Sequence, residues 1–277
     1  MDKRYSVLMS VYKKERPEYL HAALKSMTGQ SWRPSEIVLV CDGPLTTELE
    51  AVLEDIEFQG LLKTVRLEQN AGLGAALAKG LPECSCEWVA RMDSDDIAAS
   101  NRCEKQLRYL ETYPETDVLS GTIAEFQGEA QTEREAKQSI VSRKCVPRTQ
   151  TEVASYIKMR NPVNHPCVMF RKSKALTAGG YQPCPLFEDY DLWVRMFQAG
   201  CRFANLPDTL LYMRVNDMHR RHIVYKAHLP FLDRDVSAGN AEFCAVQFCS
   251  AVQNCSQPDA ESYPKNDLRE EIKESRK

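Results

Sequence analysis

Three aspartates within four residues follow a short apolar run, and this segment constrains the chain more than any other. The run is 88–90 (Trp-Val-Ala), and residues 91–96 read Arg-Met-Asp-Ser-Asp-Asp. The run has the character of the end of a buried strand. In an open α/β sheet, ligands bind outside the carboxyl ends of the strands, so the three carboxylates are expected at a binding site.

Carboxylates packed this closely repel one another, so a cation is expected among them. Oxygen ligands favour Mg²⁺ or Mn²⁺, and such an ion usually keeps waters and bridges to substrate phosphates. The implied substrate is a phosphorylated small molecule, with a nucleotide as the first candidate. The alternative is a solvated acidic turn that caps the next helix, because Asp is common at N-caps and in first turns.

Length and charge exclude several other classes of protein. The 277 residues can bury one sizeable core, and 36 basic against 39 acidic residues give no electrostatic case for binding nucleic acid. The N-terminus has no apolar signal region, and no stretch approaches the length of a membrane span. The 11 scattered cysteines indicate free thiols in a reducing cytoplasm, so a cytoplasmic location is expected.

Strand-like and helix-like segments alternate four times in the first half. Strands are predicted at 6–11, 36–41, 61–68 and 88–92, and helices at 17–28, 46–57, 73–79 and 101–113. The strands are continuous apolar runs, as expected when both faces of a sheet are covered. The sequence therefore predicts an α/β fold in which helices flank a mostly parallel central sheet, as one Rossmann-like domain.

The second half is less regular. A strand is predicted at 117–126, followed by a polar excursion at 127–150 that is flexible or lies at an edge. The remaining predicted elements are a helix at 151–159, a strand at 167–170, a helix at 188–199 and a final strand from 210.

Two loops in the first half carry polar or glycine-rich signals. Asp42 ends the second strand and could accept hydrogen bonds from a base or ribose, although Asp-Gly-Pro is also an ordinary turn. Residues 70–74 (Asn-Ala-Gly-Leu-Gly) resemble the start of a dinucleotide fingerprint, but they follow the third strand and Leu77 occupies the third glycine position. The dinucleotide interpretation is rejected, which leaves a close approach of backbone to ligand beside a helix N-terminus.

Two segments of the second half contain titratable candidates. Glu188, Asp189 and Asp191 lie at a helix start, where acids stabilise the helix dipole and where one of them could also be a general base. His165 lies between Pro162 and Pro166. Metal ligation, phosphate contact and packing all remain open for this histidine, and packing is the commonest outcome for a lone histidine.

Taken in order, these segments resemble family 2 glycosyltransferases, which have the GT-A fold, over roughly residues 4–216. The resemblance rests on segments 6–15, 40–44, 70–74, 90–96 and 188–195. It is greatest to bacterial enzymes that build capsule, exopolysaccharide or O-antigen. In the amylovoran-type group of these enzymes, segment 161–171 also has its counterpart.

The resemblance implies a role for each matching residue. Nucleotide-sugar binding is implied for Tyr12, Glu15, Asp42, Asn70, Arg91 and Asp93. A Mn²⁺ or Mg²⁺ ion that bridges the diphosphate is implied at Asp95, with Asp93. Asp189 is implied as the base that deprotonates the acceptor hydroxyl. Support of the site or of the acceptor is implied for Arg102, His165, Glu188 and Trp193.

The implied reaction is an inverting transfer of a hexose from a UDP- or dTDP-sugar to a polyprenyl-diphosphate-linked oligosaccharide. The acceptor would lie in the cytoplasmic leaflet, so peripheral contact with the inner face of the plasma membrane is expected. A nucleotidyltransferase is the first alternative, but it needs a Gly-rich loop where residues 12–17 read Tyr-Lys-Lys-Glu-Arg-Pro. The second is a nucleotide-sugar-binding protein without catalysis, which would not depend on Asp189.

The expected domain organisation is a catalytic domain over 1–217 and a C-terminal tail over 218–277. The donor half would span about 1–126 and the acceptor half about 127–217. The resemblance fades beyond about residue 220, where the family's basic amphipathic helix is expected. Instead the end of the chain is polar and highly charged, which predicts a partly helical or disordered tail.

Overall fold

The computed structural model describes residues 3–55, 58, 60–184 and 186–215. Within these residues the strands are β1 Tyr5–Val11, β2 Glu36–Cys41, β3 Leu62–Arg66, β4 Trp88–Arg91, β5 Ile97–Ala98, β6 Val118–Phe126, β7 Ile140–Lys144, β8 Met169–Arg171 and β9 Phe203–Arg214. The helices are α1 Pro17–Thr28, α2 Thr47–Leu53, α3 Leu73–Glu83, α4 Arg102–Thr112, α5 Glu133–Gln138, α6 Gln150–Tyr156, α7 Lys172–Thr177 and α8 Glu188–Gln198. A short 3₁₀ turn covers His165–Cys167.

The strands form one sheet in the order β3-β2-β1-β4-β8-β6-β9-β5, with β7 beside β6. The first four strands in this order are parallel to their neighbours. In the second half, β8 is antiparallel to both β4 and β6, whereas β6 and β9 are parallel. The predicted α/β fold class is confirmed, and the parallel part of the sheet coincides with the alternating first half of the chain.

Helices cover both faces of the parallel strands. On β1, Val7 and Met9 belong to a hydrophobic cluster that includes buried residues of α1 and α4. Leu8, between them, belongs to a second cluster that includes residues of α3 and α8. Because side chains alternate between the faces of a strand, both sets of positions must be apolar. This burial explains why the strands are continuous apolar runs.

Helix α3 is longer than predicted because Gly80 and Pro82 do not end it. A Cβ atom on Gly80 would lie 2.5 Å from Val40 Cγ2 and 2.7 Å from Leu8 Cδ1. The glycine therefore allows the helix to approach β1 and β2 closely. Tertiary packing here overrides the low helix propensity of glycine.

The polar segment 127–150 contains α5 and the edge strand β7, which agrees with the predicted edge position rather than with a flexible excursion. The side chain of Thr132 caps α5 by accepting a hydrogen bond from the Glu135 N–H at 3.3 Å. Helix α7 was also not predicted. The predicted tail at 218–277 lies outside the described residues.

Across the described part of the chain, we find no helix with both the length and the apolar character needed to span a bilayer. The same part contains no disulfide.

Candidate active site

The acidic turn 93–96 connects β4 to β5 and lies next to the end of β1. Ser94 Oγ donates a hydrogen bond to Glu15 Oε2 at 2.6 Å, and the Arg16 N–H donates to Glu15 Oε1 at 2.9 Å. Tyr12, directly after β1, is 44% exposed at the same edge. The sheet thus brings the ends of two adjacent parallel strands together, which is where ligands bind in folds of this class.

Arg214, at the end of β9, holds the buried side of the acidic turn. Its N–H donates to Asp96 Oδ1 at 2.8 Å, and its Nε donates to the Asp95 carbonyl oxygen at 2.9 Å. The guanidinium also donates to the carbonyl oxygens of Gly128 and Ala130 and lies 3.8 Å from the ring centroid of Tyr19. No sequence signal marks this residue, because a lone arginine in an apolar strand is not distinctive.

The turn brings three carboxylates together, and Asp96 among them is buried. Burial, followed by the carboxylates of Asp93 and Glu15, raises the pKa of Asp95 to about 7. Burial and the neighbouring Asp95 also raise the pKa of Asp96, whose Oδ2 atom has no hydrogen-bond partner in the described structure. An additional positive charge beside these groups would favour their ionised forms.

The donor set suits a hard cation only in part. Within the described residues, no group of three His, Cys, Asp or Glu side chains is arranged to hold a metal ion. Asp93 and Asp95 can offer carboxylate oxygens, and substrate phosphate and water would have to supply the other ligands. That shared coordination is the usual arrangement for Mg²⁺ in proteins.

Two buried arginines fix the backbone around the turn. Arg91 is fully buried and donates hydrogen bonds to the Met92 carbonyl oxygen and to Asp93 Oδ1, so it orients that carboxylate. Arg102, also fully buried, donates to the carbonyl oxygens of Arg91 at 2.6 Å and Pro166 at 3.2 Å. Both side chains support the site from inside the protein.

Asp42 and Asn70, predicted at separate loops, contact each other. Asp42 Oδ2 accepts hydrogen bonds from Asn70 Nδ2 at 2.8 Å and from the Gly72 N–H at 3.0 Å, and Oδ1 accepts from the Ala71 N–H at 2.7 Å. Gly43 has φ +85°, and a Cβ atom there would lie 2.7 Å from the Asn70 nitrogen. The two loops therefore form one rigid unit, and much of the hydrogen-bonding capacity of Asp42 is used within it.

Asp189 lies in the first turn of α8, where it is held at both oxygens. Oδ1 accepts a hydrogen bond from the Tyr190 N–H at 2.8 Å, and Oδ2 accepts one from Asn161 Nδ2 at 2.6 Å. Asp191, in the same turn, instead forms an ion pair with Arg195 at 2.6 Å.

His165 and Trp193 belong to an aromatic cluster with Phe170 and Tyr181. His165 is buried, its Nε2 lies 2.9 Å from Tyr181 Oη, and its ring centroid lies 6.1 Å from that of Trp193. Trp193 is also fully buried and packs on Phe170. Among the alternatives for His165, the geometry favours packing.

Tyr181 connects the aromatic cluster to the charged groups of the site. Its phenol interacts electrostatically with Arg91 and Asp93 of the acidic turn and with Glu188 and Asp189 of α8. Burial raises the pKa of Tyr181, so the phenol stays protonated. The acidic turn and the start of α8 thus lie at one site.

Comparison with known protein families decides the classification. Residues 6–176 match Glycosyl transferase family 2. The chain belongs to this family. The match favours the transferase interpretation over the nucleotidyltransferase alternative.

Two curated relatives are similar over about the same part of this transferase. It is 41% identical over 210 residues to the amylovoran biosynthesis glycosyltransferase AmsE of Erwinia amylovora, covering 76% of each chain. It is 36% identical over 211 residues to a UDP-Gal:alpha-D-GlcNAc-diphosphoundecaprenol beta-1,3-galactosyltransferase of Escherichia coli, covering 76% of this chain and 74% of the relative.

Solved structures show the same GT-A-type fold. S. aureus TarS 1-349 in complex with UDP-GlcNAc has a TM-score of 0.61 at 20% identity, covering 77% of the transferase and 59% of TarS 1-349. The mannosyltransferase PcManGT of Pyrobaculum calidifontis, in complex with GDP-Man and Mn²⁺, has a TM-score of 0.58 at 15% identity, covering 80% of the transferase and 60% of that chain.

Replacing Arg214 with methionine should destabilise the transferase by about 3–5 kcal/mol, as expected when one member of a buried charge network is removed. The carbonyl oxygens of Asp95, Gly128 and Ala130 would each lose a donor. Denaturant unfolding measures the change. Arg108→Met is the matched control, because Arg108 is exposed and pairs with Glu104 across one turn of its own helix. Equal stability of the two variants would contradict the structural role of Arg214.

Proposed function

We propose that this transferase moves a hexose from a UDP-sugar to a sugar linked through a diphosphate to a polyprenyl lipid, with inversion at the anomeric carbon, in surface polysaccharide biosynthesis. The observation that carries the proposal is the convergence of the acidic turn and Asp189 around Tyr181. It supports the proposal that a diphosphate-binding group and a proton acceptor belong to one site.

The substrates are proposed from the names of the relatives. The Escherichia coli relative is named for a UDP-galactose donor and a GlcNAc-diphosphoundecaprenol acceptor, and it is 36% identical to this transferase. The solved neighbour TarS 1-349 was crystallised with UDP-GlcNAc. A uridine diphosphate donor is therefore proposed ahead of a thymidine diphosphate donor.

The donor diphosphate is proposed to lie against the acidic turn, with Mn²⁺ or Mg²⁺ held by Asp95 and Asp93. When bound, the ion offsets the negative charge that develops on the leaving nucleoside diphosphate. Arg91 holds Asp93 in place, and the Glu15–Ser94 hydrogen bond fixes the turn against the end of β1. The nucleoside is proposed to contact Tyr12 and the unit formed by Asp42 and Asn70.

Asp189 is the proposed general base. The family match covers residues 6–176 and does not include Asp189. Support for this assignment therefore comes from the contacts of Asp189 at the start of α8. Asp189 would take the proton of the acceptor hydroxyl as the new bond forms between that oxygen and the anomeric carbon. The bond from the anomeric carbon to the diphosphate oxygen breaks at the same time, and the nucleoside diphosphate leaves with its electron pair.

The proposed domain limits follow the expectations from sequence, with a catalytic domain over 1–217 and a tail over 218–277. A lipid-linked acceptor requires the site to approach the cytoplasmic face of the membrane. Peripheral membrane contact is therefore part of the proposal.

A thermal-shift panel with UDP, dTDP, GDP and CDP, each with Mn²⁺ or with EDTA, tests the proposed donor. A ligand at 100 times its dissociation constant stabilises a protein by about 2.7 kcal/mol, which is readily measured. Stabilisation is expected with UDP and only when the metal is present. If none of the four nucleotides stabilises the transferase under either condition, the proposed donor site is wrong.

A further inference from the structure

We infer that Asn161 is a positioning residue for the general base, one that keeps Asp189 ionised and fixes the direction from which it receives a proton. The inference rests on the proposed function, because it acts through Asp189. It assigns a role to the Asn-Pro-Val-Asn-His-Pro segment at 161–166 beyond the packing of His165.

The orientation of the Asn161 amide is fixed by two hydrogen bonds of opposite sense. Asn161 Oδ1 accepts from the Val163 N–H at 3.1 Å, and Asn161 Nδ2 donates to Asp189 Oδ2 at 2.6 Å. Exchanging the amide oxygen and nitrogen would place two donors against each other at Val163 and two acceptors at Asp189. The backbone of residue 163 therefore determines which amide atom Asp189 faces.

The segment that carries Asn161 is held on both sides. Tyr190 Oη donates to the Ile157 carbonyl oxygen at 2.5 Å, and Asn205 Nδ2 of β9 donates to the Pro162 carbonyl oxygen at 3.0 Å. Pro162 is buried, and its ring fixes φ directly after Asn161. The amide is thus supported by rigid backbone, which is a requirement for a side chain that must hold another group in place.

The chemical consequence concerns the two oxygens of Asp189. Each already accepts one hydrogen bond, from Tyr190 at Oδ1 and from Asn161 at Oδ2. The carboxylate plane is therefore set, and the acceptor hydroxyl must approach along the remaining lone-pair directions. Holding reacting groups in the productive geometry can supply a large part of a rate enhancement.

The electrostatic consequence concerns protonation. A hydrogen bond donated to a carboxylate favours its ionised form, so removing Asn161 should raise the pKa of Asp189. Glu188 of the same helix and the Asp93 and Arg91 side chains of the acidic turn interact with the same phenol, Tyr181, as Asp189 does. Further titratable groups near Asp189 are the neutral phenol of Tyr181, which lies within hydrogen-bond distance of His165, and the ion-paired Asp191 and Arg195. The Asn161 amide, by contrast, is uncharged and donates a hydrogen bond directly to Asp189 Oδ2.

The first test is Asn161→Ala, assayed with UDP-hexose, Mn²⁺ and a synthetic diphosphate-lipid sugar. We expect kcat to fall about 10²-fold, as for a small misplacement of a reacting group, while the donor KM changes little. The acidic limb of the kcat–pH profile should move to higher pH. The UDP–Mn²⁺ thermal shift should persist, which shows that the fold and the donor site are intact.

A second variant, Asn161→Asp, gives a different signature. Two carboxylates at this distance cannot both ionise easily, so they would share one proton. The activity of Asn161→Asp should therefore fall at alkaline pH, as the shared proton leaves, as well as at acidic pH, which gives a bell-shaped kcat–pH profile. The Asn161→Ala variant should not show the fall at alkaline pH. The UDP–Mn²⁺ thermal shift, measured at the same alkaline pH, separates this effect from unfolding, because a folded variant keeps the shift.

Asn164→Ala is the matched control, because Asn164 lies in the same segment but donates to the carbonyl oxygens of Gly121 and Lys144. It should lose stability without a shift of the kcat–pH profile. An unshifted profile and unchanged kcat in both Asn161 variants would overturn the inference. If Asp189→Asn is inactive in that case, only the role of Asn161 fails, whereas an active Asp189→Asn variant removes the proposed base itself.

Discussion

Replacing Asp189 with asparagine should lower kcat by about 10²–10⁴-fold, the usual contribution of a general base. Asparagine keeps the size of the side chain but cannot take the proton of the acceptor hydroxyl. Its single oxygen also cannot serve both donors that now contact Asp189, the Tyr190 N–H and Asn161 Nδ2. A moderate loss of stability should therefore accompany the loss of turnover.

Steady-state kinetics and the UDP–Mn²⁺ thermal shift together separate these effects. The donor KM and the thermal shift should change little, because the acidic turn is untouched. Asp191→Asn is the matched control: it removes a carboxylate from the same helical turn and breaks the ion pair with Arg195. We expect it to destabilise the protein and to retain turnover. An Asp189→Asn variant with near-native kcat would show that another group accepts the proton.

Local signals in the sequence predicted much of the fold. Helix α1 begins at Pro17 and ends before Gly29, as its residue pattern predicts. The continuous apolar strands predicted a sheet covered on both faces, and two separate hydrophobic clusters include alternate residues of β1. The acidic turn could be found for the same reason, because its three carboxylates are adjacent in sequence and follow a recognisable strand.

The interactions that complete the site are long-range, and no local pattern encodes them. Arg214 contacts Asp96 across 118 residues, and Asn161 contacts Asp189 across 28. The short antiparallel strand β8 also joins the sheet between β4 and β6, which is a tertiary pairing of only three residues. Such contacts depend on topology, whereas sequence periodicity reports only which face of an element is buried.

Replacing Asp95 with asparagine should abolish the metal-dependent thermal shift with UDP. A neutral amide is a weaker ligand for a hard cation than a carboxylate, and Asp95 is the central group of the proposed metal site. The expected loss is the whole ligand-induced stabilisation, about 2.7 kcal/mol at 100 times the wild-type dissociation constant. Asp208→Asn is the control, because Asp208 pairs with Lys105 at 2.5 Å and lies outside the proposed site. Retention of the shift in Asp95→Asn would place the metal elsewhere.

The same substitution should stabilise the metal-free protein at neutral and alkaline pH. The native pKa of Asp95 is about 7, raised from 3.8 mainly by burial and then by Asp93 and Glu15. Between these values the native state binds more protons than the unfolded state, so stability falls as pH rises from about 4 to about 7. Asparagine carries no such penalty, so metal-free Asp95→Asn should exceed the wild type in free energy of unfolding at pH 8, and the difference should shrink at pH 4.

Denaturant unfolding in EDTA at the two pH values measures this difference, and Mn²⁺ with UDP should reverse the order of stability at pH 8. A carboxylate that destabilises its own fold unless a cation is bound is the stability trade-off expected of a binding residue. A wild type that is more stable than Asp95→Asn at pH 8 in EDTA would contradict this electrostatic account of the acidic turn.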